Sequence, residues 1–151
     1  MRKATSNLSL RERALGYLAR REHSLRELYR QLQPYATEED DLTALLEDFK
    51  QRGWLSDERF AEQVVHARQG RYGSLKVAHE LREKGVADGV AERAVAALDD
   101  MEGAHSVWQK KYGELPASRE EWAKQARFLQ SRGFGFDVIK RVLKGMPGDD
   151  Q

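Results

Sequence analysis

The sequence has no cysteine in its 151 residues. That excludes a disulfide framework, thiolate chemistry and cysteine-based zinc sites, and it fits a reducing compartment. Proline is scarce at three residues, so little interrupts helix formation. No apolar run approaches the roughly 20 residues of a membrane span. The start, Met1-Arg2-Lys3-Ala4-Thr5-Ser6, is basic but lacks the apolar core of a secretory signal, and a cytoplasmic protein is expected. Charge of one sign is missing too. The net charge is +1 although 34% of residues are charged, so this is no simple polycation coating nucleic acid. The charge is unevenly spread, with eight bases against three acids in residues 1–35 and one against six in residues 36–50. Local basic faces are expected.

Catalytic constellations are equally absent. There is no GxxxxGK[ST] loop and no GxGxxG after a strand. His23, His66, His79 and His105 lack metal-ligand spacing, and each reads as a surface or cap-adjacent imidazole. The run Glu38-Glu39-Asp40-Asp41 follows Thr37 at an expected helix start, where the helix dipole favours negative charge. No cofactor and no enzymatic activity are expected. Trp108 and Trp122 lie on apolar stripes and read as core, whereas Trp54 sits at a junction.

What is present is helical punctuation. Ser9, Ser24 and Ser118 each precede a glutamate by three residues, the capping-box pattern. Thr37, Ser56, Ser74, Asp88 and Asp137 are further candidate caps, and Pro34, Gly53, Gly85, Gly113, Gly133 and Gly145 are candidate stops. Between them the apolar residues recur at helical spacing, as in Leu25/Leu28/Leu32 and Val138/Ile139/Val142/Leu143. Nine helices and no strand are expected.

The pattern also repeats. Leu81-xxx-Gly85-Val86-xxx-Val90 recurs 48 residues later as Leu129-xxx-Gly133-Phe134-xxx-Val138, with a looser copy around Leu32, Leu42 and Leu46. A period of this length marks a repeated three-helix unit. The expected fold is all-α: three tandem three-helix repeats at 9–55, 56–100 and 101–145 in an elongated, curved stack, with short ends at 1–8 and 146–151.

Basic residues beside an aromatic turn are the strongest binding signal. Arg68, Arg71 and Lys76 flank Tyr72-Gly73 at the start of a helix, an arrangement suited to anions. Arg20 with Arg21, Arg82 with Lys84, Arg127 with Arg132, and Lys140 with Arg141 and Lys144 form further clusters. The alternative for each is a solvated, ion-paired helix face.

The ordered motifs resemble the RecX family. They are Tyr17-Leu18-Ala19-Arg20-Arg21-Glu22-His23-Ser24, Gly53-Trp54-Leu55-Ser56-Asp57, Arg68-xxx-Tyr72-Gly73-xx-Lys76, Lys111-Tyr112-Gly113 and Arg127-Phe128-Leu129-xx-Arg132-Gly133-Phe134. Together they cover about residues 10–144 in order. The resemblance implies a regulator that lies along the RecA filament on single-stranded DNA, and a monomer is expected. There it would inhibit RecA ATP hydrolysis, strand exchange and coprotease activity, dampening recombination and the SOS response. DNA binding by the chain itself, to single strands and to duplex, is also implied. The first repeat departs from the pattern: Tyr35-Ala36-Thr37 stands where Lys84-Gly85-Val86 stands in the second. A helical DNA-binding module such as a transcription regulator is the alternative function.

Overall fold

The computed structural model describes residues 8–145, and among these there are nine α-helices and no strand. They are α1 (Leu10–Arg20), α2 (Leu25–Leu32), α3 (Leu42–Gln51), α4 (Asp57–Arg68), α5 (Ser74–Glu83), α6 (Asp88–Val95), α7 (Asp100–Lys111), α8 (Arg119–Ser131) and α9 (Phe136–Val142). A 3-10 turn at Gln33–Tyr35, with Pro34 inside it, extends the end of α2. The helices run from 7 to 13 residues, too short to be stable alone in water, so their packing must hold them.

Packing occurs in threes. Ala14, Leu28, Leu32, Leu46 and Phe49 form one core between α1, α2 and α3. Phe60, Val65, Val77, Leu81 and Ala91 form the second between α4, α5 and α6. Trp108, Trp122, Leu129, Phe134 and Ile139 anchor the third between α7, α8 and α9. Trp108 and Trp122 are thus core residues, and Trp54 is exposed. The hydrogen bonds and ion pairs between units join the first to the second and the second to the third. The arrangement is a linear stack.

Ser9 and Ser24 complete reciprocal capping boxes with Glu12 and Glu27. Ser118 accepts from the Glu121 amide at 3.1 Å, but Glu121 reaches back to the Ala117 amide instead. Ser56 caps α4. Thr37 does not cap α3. Its amide and hydroxyl both bind the Asp40 carboxylate, and Asp41 caps the helix four residues later. Ser74 and Asp88 lie one residue inside their helices and Asp137 two residues past its cap, Gly135, while Asp99 caps α7.

All five expected stop glycines have φ between 75° and 97°. Two of them end the middle helices of their units in the same way. The Gly85 amide binds the Arg82 carbonyl and the Val86 amide binds that of Leu81; Gly133 and Phe134 repeat this with Gln130 and Leu129. The left-handed glycine turns the chain so that the next side chain, Val86 or Phe134, drops into the core. His23 is buried beside its cap, with Nδ1 3.1 Å from the Arg21 carbonyl oxygen. Arg13 is also buried, its guanidinium 3.6 Å from the centre of the Tyr35 ring.

Candidate functional site

The two joints of the stack share one construction. In each, the start of one unit's middle helix seats on the glycine turn that ends the next unit's middle helix. At the first joint the Ser24 hydroxyl donates to the Lys84 carbonyl at 2.7 Å, and the Leu25 amide donates to the Asp57 carboxylate at 2.8 Å. At the second joint the Gly73 amide donates to the Arg132 carbonyl at 2.8 Å and the Leu75 amide to the Gly133 carbonyl at 3.1 Å. The Ser74 amide donates to the Asp100 carboxylate at 3.1 Å, and its hydroxyl donates to the same group. Leu25 and Ser74 are both first residues of their helices, as are Asp57 and Asp100. Each joint therefore satisfies an otherwise orphaned helix-start amide with the aspartate that opens the first helix of the next core, α4 or α7.

In the first repeat the 3-10 turn Gln33–Tyr35, with Pro34 inside it, ends α2, and Tyr35-Ala36-Thr37 carries no glycine. At the second joint glycine is required on both sides. A Cβ on Gly73 would strike the Gly133 carbonyl, and one on Gly133 would strike the backbone nitrogen of Lys76.

The structure sorts the basic candidates by their partners. Arg68 is held by Glu80 through two bonds of 2.9 and 2.6 Å, and that carboxylate raises the guanidinium's already high pKa. Arg21 and Lys84 converge on Glu27 at 3.0 and 3.3 Å. Burial alone would raise the pKa of Glu27. The Arg21 and Ser24 hydrogen bonds and the charges of Arg21 and Lys84 outweigh that and lower it. Arg82 pairs with Asp88 at 3.1 Å. These four cations tie helices together. Arg20, Arg71, Lys76, Arg127, Arg132, Lys140, Arg141 and Lys144 have no carboxylate within ion-pair distance among the described residues.

Four of the sequence candidates meet at the second joint. Two cations approach the Tyr72 ring, with Lys76 Nζ 5.4 Å from its centre and the Arg132 guanidinium at 5.1 Å. Arg132 also donates to the Arg71 carbonyl at 3.0 Å, and Lys76 Nζ to that of Ser131 at 3.4 Å. Beyond Arg132 the series continues through Phe128, 5.5 Å away, to Lys111, 5.2 Å on. Phe128 packs edge-on to Tyr112 at 5.7 Å. The result is a ladder of cations and aromatic rings, Lys76–Tyr72–Arg132–Phe128–Lys111, running across the joint. Arg-face and Lys-face contacts with rings are worth about 0.5–1 kcal/mol at exposed sites, enough to hold the cations in register. Such a ladder can neutralise phosphate or carboxylate charge and offer flat apolar surface to a base or side chain.

Lys111 and Phe128 belong to the family-like motifs, but their link to Tyr72 runs through Arg132, depends on residues far apart in the chain and has no local signal. The other candidates lie elsewhere. Arg20 lines a separate concavity of the first unit with Arg21, Arg30 and Tyr35. Lys140, Arg141 and Lys144 are on or just past α9, and Arg127 faces away from the ladder on α8. No cluster of three metal-binding side chains occurs among the described residues, and no helix there is long and apolar enough to cross a membrane.

Comparisons with known proteins agree with this architecture. Residues 56–95 match the second three-helix domain of RecX, and residues 99–143 match the third. The chain is 42% identical over 147 residues to the regulatory protein RecX of Chromobacterium violaceum, covering 97% of each. It is 44% identical over 140 residues to that of Ralstonia nicotianae, covering 91% of this chain and 88% of the relative. The crystal structure of RecX from Lactobacillus salivarius superposes with a TM-score of 0.77 at 21% identity, over 89% of this chain and 92% of that one, a likeness of fold. By full-length similarity and by its three-helix domains, the chain belongs to the RecX family of regulatory proteins.

Proposed function

We propose that this chain binds the filament RecA forms on single-stranded DNA and restrains its ATP hydrolysis, strand exchange and coprotease activity. The observation that carries this reading is the full-length similarity to regulatory proteins named RecX. The linear stack supports it, because a regulator of a repeating polymer needs reach more than a pocket. Units 9–55, 56–100 and 101–145 span neighbouring filament subunits and couple the regulator to their relative arrangement. The ladder at the second joint supplies the anion contacts, through Arg71, Lys76, Arg132 and Lys111 with Tyr72 and Phe128. These meet DNA phosphates or acidic RecA side chains, and the chain also binds DNA by itself. It acts as a cytoplasmic monomer, needs no cofactor and catalyses nothing itself.

The test is RecA's ATP hydrolysis on single-stranded DNA, titrated with this protein. Hydrolysis is expected to slow at less than one chain per RecA subunit, since one occupied position affects its neighbours. Unchanged turnover at saturating protein would overturn the proposal. Tight binding to naked duplex with no effect on RecA would favour a DNA-binding module instead.

A further inference from the structure

Leu75 and Phe136 are the two most exposed large apolar residues described, at 64% and 60% of their full surface. They line the same groove, between the start of α5 and the helices α8 and α9. Its floor is apolar, built from Ala123, Ala126, Phe134 and Ile139. Arg127 lines its edge, and the Lys140 ammonium lies 5.4 Å from the Phe136 ring centre. Neither cation has a carboxylate partner, and none of the ten lining residues is acidic.

The first joint provides an internal comparison. Its construction is the same, so equivalent positions can be read across. Arg26 stands where Leu75 does, second in its helix, and its guanidinium donates to the Glu83 carbonyl at 3.3 Å. Asp88 stands 48 residues before Phe136, Arg82 before Gln130 and Glu92 before Lys140. Asp88 and Arg82 pair with each other. The joint is thus built equally well from charged, mutually satisfied side chains. Nothing in its construction demands that Leu75 be apolar or that Lys140 replace an acid, and Phe136, although edge-on to Trp122 at 6.4 Å, keeps most of its ring exposed. Exposed apolar area of this kind, with an unmatched positive edge, marks a surface used by a partner.

We infer that this groove docks an acidic protein segment carrying an apolar anchor residue, presented by the protein subunits of the filament. The inference rests on the reading that the chain acts on that filament. The anchor covers Leu75 and Phe136, and flanking carboxylates meet Arg127 and Lys140. A protein segment fits better than nucleic acid, because the groove is mostly apolar and bears no series of cations spaced along it. The groove is also distinct from the ladder. At about 100° per residue, Phe128 and Arg132 lie roughly 100–180° around α8 from Ala123, Ala126, Arg127 and Gln130. One helix therefore carries the two surfaces on opposite faces.

The experiment uses the full chain and its Leu75→Ser/Phe136→Ser variant. Binding is measured to RecA filaments on single-stranded DNA and to the same DNA without RecA. Leu75→Glu serves as a second variant, since an acid in the first turn of a helix favours folding. Both variants are expected to keep the parent's helicity, to bind naked DNA within twofold of the parent, and to lose at least tenfold in filament affinity. Filament binding equal to the parent's overturns the inference while the functional reading stands. An equal loss on naked DNA overturns it in favour of a nucleic-acid surface. A parent chain that binds no filament removes the functional reading and this inference with it.

Discussion

Gly73 and Gly133 meet backbone to backbone across the second joint, with no room for a Cβ on either. The atoms in the way of a Gly73 side chain are the Gly133 carbonyl and the Phe134 ring, which is itself buried and cannot move aside. Gly73→Ala is therefore expected to lower stability by about 2–3 kcal/mol, the upper range for overpacking. Gly135→Ala is the control, because its Cβ would meet nothing within 4 Å and its φ is −79°. Its stability should stay within about 1 kcal/mol of the parent. Urea unfolding checks both, and equal midpoints for the two variants would contradict the close approach.

The buried polar pair of the third core gives a second prediction. Gln125 Oε1 accepts from the Trp108 indole N–H at 2.7 Å, and its Nε2 donates to the Glu114 carbonyl at 3.3 Å. Gln125→Leu keeps the volume but strands the indole N–H in the core. A loss of about 1–3 kcal/mol is expected. Urea unfolding followed by tryptophan fluorescence checks it, and parental stability would show that the pair contributes nothing.

Helix class and most starts and stops were legible because they are local. Ser9, Ser24 and Ser56 cap helices within three residues of themselves, and the five stop glycines act on the turn they end. Thr37 misled because Asp40, three residues on, competes for its amide and hydroxyl. The joints were not legible, since Ser24 and Lys84 are 60 residues apart and nothing near either announces the other. The same distance hid the ladder. Arg68 stands beside Tyr72 in sequence, yet it turns to Glu80, while Arg132 arrives from the next unit and leads on through Phe128 to Lys111. The aromatic turn was visible, but which cations surround it was decided by packing.

Acid should loosen the first joint. Glu27, tied to Arg21 and Lys84, has its pKa lowered from an ordinary 4.5. A carboxylate with a lowered folded pKa contributes stability that is present above 4.5 and is lost as pH falls through the folded value. Glu27→Gln should be less stable than the parent at pH 7. That difference should shrink once the pH drops below 4.5. Unfolding midpoints across pH 2–7 measure it, and a pH-independent difference would contradict the charged role of Glu27.

The ladder should set the salt dependence of DNA binding. Replacing Arg71, Lys76 and Arg132 with Ala removes three cations that have no carboxylate partner, while leaving the Arg68–Glu80 pair in place. Arg71 and Lys76 are exposed and Arg132 half-buried, and cations at the surface contribute little to stability, so the fold should survive. On single-stranded DNA the log–log salt slope should fall by roughly 0.7 for each phosphate that the variant no longer neutralises. An unchanged slope would show that these residues do not meet phosphate.

The most direct measurement of the central claim compares the parent and that triple variant in RecA's ATP hydrolysis on single-stranded DNA. The account predicts that the parent slows hydrolysis at less than one chain per RecA subunit, and that the variant needs at least tenfold more protein for the same effect. Equal inhibition by both, or none by the parent, would contradict it.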